Sequence, residues 1–516
     1  MAAQVGAGYA FEGAALELGS VVVDGTPHPN ARVRVPLSML NRHGLVAGAT
    51  GTGKTKTLQL LAEQLSAAGV PAFLADIKGD VAGVAAPGAA SDRITRRAQD
   101  TGTGWQPQAF PVELYSLGGL GPGVPVRATV TSFGPVLLSK VLDLNPTQES
   151  SLGLVFHYAD GKGLELDDLK DLRAVITHLT SDEGKADLKE LGGLSSATAG
   201  VILRALVNLE NAGGDVFFGL PEFDTADLLR TAADGRGVLS VMGLSSVQDK
   251  PKLFSTFLMW LLADLFHDLP EVGDVEKPKL VFFLDEAHLL FDDASEAFLD
   301  AIARTVRLIR SKGVGVFFVT QTPKDVPAEV LAQLGNRVQH ALRAFTPDDA
   351  KALKATVSTF PRSDVYELDT LLTSMGIGEA AVTILSERGT PTPVAWTLLR
   401  PPASRMGPLE PAEQQAVVAG SALAGRYTTM QDRASAHEKL ADAPAPGKAA
   451  PPEPAEAPAP RDEPGPGPRR EEPGAVGQVL QSSAFRSGLR AAATVAGREI
   501  ARSLFGTAPR RRRRRR

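Results

Sequence analysis

Residues 48 to 55 read Gly48-Ala49-Thr50-Gly51-Thr52-Gly53-Lys54-Thr55, a full match to the phosphate-loop pattern G-x-x-x-x-G-K-[ST]. Few short stretches restrict a fold so strongly, because the loop works only between a strand and a helix. The flanks meet that demand. Gly44-Leu45-Val46-Ala47 is a short apolar run suited to a buried strand, and residues 56 to 68 carry Leu58, Leu60, Leu61 and Leu65 at helical spacing. In that geometry the loop N–H groups and the positive helix end face phosphate oxygens. Gly48, Gly51 and Gly53 let the chain approach with no side chain in the way. Lys54 is expected at the β and γ phosphates, and the Thr55 hydroxyl on Mg²⁺. The eight residues together form the expected nucleotide-binding set, with ATP and Mg²⁺ as ligands.

A second piece lies far downstream. Leu280-Val281-Phe282-Phe283-Leu284 runs directly into Asp285-Glu286. Ligands of open α/β sheets collect at the carboxyl ends of strands, so a buried strand delivering two carboxylates there suits a Walker B element. Asp285 is expected to hold Mg²⁺, and Glu286 to orient and polarise the attacking water. An apolar strand followed by Asp-Glu also recurs by chance; its weight here comes from the phosphate loop upstream. His288 either couples this site to a partner or packs locally. The next strand, Val314 to Thr320, ends in Gln321-Thr322-Pro323. Gln321 is the candidate γ-phosphate sensor, the alternative being a turn residue before Pro323. Arg337 and Arg343 are candidates for an arginine offered to a neighbouring subunit's nucleotide. Arg307, Arg310 and Lys312 are rivals, and any single arginine can equally be a solvated surface residue. Asp76, after the strand Val70 to Ala75, either lines the site or caps the next helix.

Strands alternating with helical patterns predict an α/β fold with a mainly parallel sheet flanked by helices. The expected organisation is an N-terminal extension over 1–40 with a strand at Ala31 to Val35, then the ATPase domain over 41–440. Within the domain, 81–234 reads as a mostly helical insertion. Residues 441–475 hold eleven prolines among Ala, Glu and Gly. No core can form from that composition, and a disordered linker is expected. Over 476–516, Phe485, Leu489, Ala493, Ala496, Ile500 and Leu504 recur at helical spacing beside Arg486, Arg490, Arg498 and Arg502, ahead of the run Arg510 to Arg516. That is a basic amphipathic helix with an arginine tail.

Charge divides the same way. The formal net charge is −5, but 476–516 holds eleven Arg against one Glu, so the remaining chain is acidic. The tail therefore suits phosphates or an anionic membrane surface, while the body alone does not advertise nucleic-acid binding. The chain has no cysteine, which excludes disulfides, thiolate metal sites and a cysteine nucleophile and fits a reducing, cytoplasmic setting. No signal-peptide pattern opens the sequence, and the apolar stretch Leu253 to Phe266 is too short to span a bilayer.

With these residues in view the chain resembles the HerA/FtsK superfamily of P-loop ATPases. The resemblance is carried by Arg42-His43-Gly44 leading into the phosphate loop, by Asp76-Ile77-Lys78-Gly79-Asp80, by the block at 282 to 288, and by Arg310 through Gln321. Leu334 to Pro347 and Ser404-Arg405-Met406-Gly407-Pro408 resemble, more narrowly, the bacterial HerA-like C-terminal-domain ATPases. The resemblance implies a RecA-like core that assembles as a ring, usually a hexamer, with ATP at subunit interfaces and an arginine supplied in trans, for which Arg337 is the match by position. It implies a motor that translocates or unwinds nucleic acid. No N-terminal β-barrel domain of the archaeal kind is expected, since about forty residues precede the core. Two other readings stand beside this one. One is an ATPase that remodels or moves protein near a membrane, anchored by 476–516. The other is a nucleotide-gated switch, against which Glu286 argues.

Overall fold

The computed structural model describes residues 1–188, 192–291, 294 and 296–442. Its backbone is a twelve-stranded sheet in the order β2-β1-β12-β11-β10-β3-β9-β8-β4-β7-β5-β6. The parallel part runs from β10 (Asn336–Gln339) through β3 (Gly44–Ala47), β9 (Val314–Thr320), β8 (Leu280–Leu284), β4 (Ala72–Asp76), β7 (Leu239–Gly243) and β5 (Val112–Leu117) to β6 (Val124–Val126). The antiparallel part adds β11 (Glu379–Thr383), β12 (Ala395–Leu399), β1 (Ala15–Val23) and β2 (Thr26–Pro36).

The central strands are apolar on both faces because both faces are covered. Every residue of β8 and β9 is buried. On one face the helix Lys54–Ala67 sets Leu58, Leu61 and Leu65 in a core with Val46, Leu74, Phe283 and Val319. On the other, the helix Pro251–Asp268 brings Phe257, Leu258 and Trp260 into a core with Phe73, Phe282 and Val316. Alternate side chains of each strand thus feed opposite layers. Among the described residues no helix is long and apolar enough to cross a membrane.

The 81–234 segment differs from the expected helical insertion. It does carry four helices longer than ten residues, Val130–Val141, Pro146–Lys162, Leu169–Thr180 and Ser196–Leu209. Their starts are capped by Thr129, Asn145, Asp168 and Ser195. Yet it also supplies β5 and β6, which extend the parallel sheet past β7. The glycine-rich run between them is a tight connection, with positive φ at Gly118, Gly119, Gly121 and Gly123. Its composition resembles a loop and hides the strands on either side.

Residues 1–40 are likewise woven into the sheet. Ser20 pairs with Leu398 across β1 and β12, and the Tyr9 hydroxyl lies 2.7 Å from Val382 O. The linker at 441–475 and the basic segment at 476–516 lie outside the described residues, save Ala441 and Asp442. Deleting residues 1–36 strips β12 of its partner strand and exposes an unpaired edge. The truncated protein is expected to aggregate or to melt well below the full chain in a thermal scan; an unchanged melting temperature would show that the extension is dispensable.

Candidate active site

The phosphate loop sits at the carboxyl edge of β3 and is fixed by its neighbours on both sides. Gly48 N donates to Thr320 O at 3.2 Å and Ala49 N to Ala341 O at 2.8 Å, while Thr52 O accepts from Gly378 N at 2.9 Å. Thr52 Oγ1 closes the loop on Ala49 O at 2.7 Å. Gly48, Gly51 and Gly53 have φ of 155°, 81° and 115°, values that L side chains rarely adopt. At Gly48 a Cβ would also strike His340. His340 lies beneath the loop with Nε2 2.8 Å from Thr57 Oγ1. Burial pushes its imidazole down to about 4, so it is a neutral strut at physiological pH.

Lys54 opens the helix and is buried. Its ammonium donates to Gly48 O at 2.7 Å and Ala49 O at 3.3 Å. Burial lowers its proton affinity, and the charges of Glu286 and Asp285 act against that shift. The lysine and the acidic pair are thus electrostatic neighbours although they sit on different strands. Sheet order explains this: β9 alone separates β3 from β8. Thr55 follows in the first turn, half-buried.

Asp285 is buried, and its Oδ1 accepts from Glu286 N at 2.9 Å. Among the described residues Oδ2 is buried with no hydrogen-bond partner. Burial first, and the neighbouring Glu286 charge second, raise this carboxyl to about 7. A buried carboxylate oxygen with nothing to bond is what a hard divalent cation takes as ligand. Asp285 therefore fits a divalent cation such as Mg²⁺. Glu286 turns the chain through a left-handed φ of 47° and is itself buried. Its Oε1 pairs with the Lys78 ammonium, and its Oε2 lies 3.4 Å from His288 Nδ1. His288 thus packs against its own chain at this site.

Asp76 caps its own loop. Its two oxygens accept from Gly79, Asp80, Val81 and Ala82 N at 2.8 to 3.3 Å, and burial raises it to about 6. These bonds fasten the turn from Gly79 to Ala82. Gln321 is exposed at the end of β9. The turn behind it is closed by Asp325, which accepts from Thr320 Oγ1 at 2.8 Å, Thr322 N at 2.8 Å and Thr322 Oγ1 at 2.7 Å.

The arginine candidates separate. Arg337 stands level with Leu45 in the β10–β3 register, short of the strand's end, and donates to Thr359 Oγ1 at 2.5 Å. Arg343 is exposed at the rim and reaches Thr50 O at 3.3 Å, on the phosphate loop of its own chain. Of the rivals, Arg307 and Arg310 are exposed, whereas Lys312 is buried and tied to Leu269 O at 2.7 Å.

Several residues at the site carry no sequence signal of their contacts. Lys78 lies inside the 76–80 motif, but nothing there says that it meets Glu286. Arg97 donates to Gly378 O at 3.1 Å and Ile377 O at 3.0 Å, bracing the turn that supports Thr52. Both require long-range pairing that local patterns do not encode.

The chain matches the family model described as helicase HerA-like C-terminal over residues 22–514. Among solved structures it is similar to the bacterial conjugative coupling protein TrwBdeltaN70 in its unbound monoclinic form, at 16% identity and a TM-score of 0.50, covering 78% of this chain and 94% of that one. It is similar to the plasmid coupling protein TrwB in complex with the non-hydrolysable GTP analogue GDPNP, at 15% identity and a TM-score of 0.50, over 79% of this chain and 94% of that one. VirB4 of Thermoanaerobacter pseudethanolicus follows at 15% identity and a TM-score of 0.45, over 78% and 99%. No curated protein matches the chain in sequence.

A carboxyl raised to about 7 is about half protonated at neutrality, and a cation needs it ionised. Mg²⁺ affinity in the presence of a non-hydrolysable ATP analogue should therefore rise from pH 6 to pH 8. Asp285→Asn, which cannot titrate, should lose most of that slope in calorimetry; an identical slope would show that the pH dependence comes from the nucleotide.

Proposed function

The chain belongs to the helicase HerA-like C-terminal family and is a P-loop ATPase; from that premise we propose that it works as a ring-forming motor that moves nucleic acid. The observation that carries the ATPase chemistry is the sheet order, which brings Lys54 and the Asp285-Glu286 pair to one edge across a single intervening strand.

In this reading the loop N–H groups and Lys54 hold the phosphates, and Lys54 exchanges its contacts with Gly48 O and Ala49 O for phosphate oxygens. Thr55 and Asp285 would hold Mg²⁺, which would supply positive charge to offset that of the phosphates. A water oxygen bonds to the γ-phosphorus as the bond to the bridging oxygen breaks. ADP leaves with that electron pair, and the water proton passes to Glu286. Gln321, at the end of the strand between lysine and acid pair, senses the γ-phosphate. Arg337, the match by position to the family's arginine, is assigned to a neighbouring copy's nucleotide. Coupling proteins of plasmid conjugation share the fold, which supports nucleic acid as the cargo.

Lys54→Ala is expected to abolish turnover and weaken nucleotide binding. Glu286→Gln should bind ATP yet hydrolyse it about 10² to 10⁴ times more slowly, measured as phosphate release; normal turnover in that variant would remove Glu286 as the base. Adding double-stranded DNA to the full chain should raise ATPase rate in a salt-sensitive way. A rate indifferent to DNA at low salt, but raised by anionic vesicles, would move the cargo away from nucleic acid. Mixed Arg337→Ala and Lys54→Ala proteins should regain part of the lost activity if the arginine acts across an interface. No recovery would reassign the finger or refute the ring.

A further inference from the structure

One contact at the site has no place in the chemistry above. Glu286, the residue assigned to take the proton, is already held by the Lys78 ammonium. The two differ in setting: the Glu286 side chain is 7% accessible, the Lys78 side chain 45%. Lys78 rides on the Asp76–Asp80 turn, whose backbone is pinned by the four N–H bonds to Asp76. Gln248 Nε2 also donates to Ile77 O. The turn is therefore rigid, while the half-exposed lysine stem is free to swing.

A carboxylate engaged by an ammonium is a poor proton acceptor, and its lone pair is occupied. Glu286 is a weaker base while Lys78 keeps Oε1, and its Oε2 is buried against His288. The pair stands in a charged neighbourhood. Asp285 adjoins Glu286 in the chain, His288 Nδ1 faces its other oxygen, and Lys54 and Asp80 are within electrostatic reach. A γ-phosphate delivered to Lys54 arrives beside this cluster with more negative charge than one carboxylate bears.

We propose that Lys78 is a positioning residue that exchanges partners, holding Glu286 when no triphosphate is bound and moving to the γ-phosphate when one enters, so that Glu286 is released to act. The proposal rests on the ATPase reading above. It gives the site a way to keep the base idle until the correct ligand is seated. ADP has no γ-phosphate and leaves the ion pair intact. Lys78 therefore contributes to affinity for ATP and not to affinity for ADP.

The test uses the full chain and its Lys78→Met and Lys78→Arg variants, with calorimetric affinities for ADP and for a non-hydrolysable ATP analogue, both with Mg²⁺. Lys78→Met should weaken the analogue about tenfold or more, the loss of one charge-assisted contact, with ADP binding unchanged. Lys78→Arg, which keeps the charge, should retain most of the preference for the analogue. Equal weakening of both nucleotides, or an analogue affinity equal to that of the unaltered protein, would overturn the exchange. If the unaltered protein binds neither nucleotide, the ATPase reading fails and the exchange with it. If it binds both normally and Lys78→Met behaves the same, only the exchange fails.

Discussion

The structure turns on how a loop of small residues is kept open. Left alone, Gly48 to Gly53 would sample many conformations, and the entropy of fixing them is considerable. The chain meets that cost with three backbone hydrogen bonds from three different segments: Thr320 at the end of β9, Ala341 after β10, and Gly378 before β11. Each requires its strand to lie where it does. β3 must sit between β9 and β10, and β11 must return antiparallel beside β10 so that its leading turn meets Thr52. The loop geometry and the sheet order are one constraint seen from two ends.

That constraint accounts for motifs whose purpose is not visible locally. In the stretch 334 to 347, Asn336 Nδ2 donates to Met39 O at 3.0 Å and His43 O at 2.9 Å, locking β10 to the entry of β3. His43 in turn accepts from Val316 N at 3.1 Å through Nδ1, and burial keeps its ring neutral. His340 fills the space beneath Gly48, and Thr346 caps the following helix. The motif 404 to 408 works through the phosphate-loop helix. Glu63, on the phosphate-loop helix, accepts from Ala403 N at 2.7 Å and Ser404 N at 2.9 Å, and Gln59 donates to Arg405 O at 2.9 Å. Gly83 lies so close to Gly407 O that any side chain there would collide with it. These residues hold the cradle's walls and touch no phosphate.

The parts of the fold legible in sequence are those governed by short-range rules. The glycine loop, the apolar strands β8 and β9 and the helix after the loop follow from periodicity over a dozen residues. Val314 to Thr320 and Leu280 to Leu284 coincide with β9 and β8. Sheet order is different, because nothing in a strand's own residues says which strand lies beside it. Only the structure shows that β9 runs between the lysine strand and the acid strand. Strands β5 and β6 stayed hidden because glycine and proline, which mark turns, outweigh six and three residues of strand. The pairing of Lys78 with Glu286 is illegible for a similar reason: the two are about two hundred residues apart in the chain.

The intervening strand matters to the chemistry. Neighbouring strands are about 4.8 Å apart, so β3 and β8 axes stand about 10 Å apart at the edge. Among the described residues Lys54 forms no ion pair with the acid pair across that span, and its ammonium instead rests on loop carbonyls. The acid pair is left with a buried oxygen on Asp285 and an opposing ammonium on Glu286. Had β3 and β8 been adjacent, Lys54 and Asp285 could neutralise one another and the site would hold no surplus charge for a ligand. Separation by one strand keeps both charges underused in the protein alone. A phosphate chain with its cation is long enough, and carries the right alternation of charge, to satisfy both ends together. Binding energy is thus stored as imperfect local pairing, which only a ligand of that length relieves.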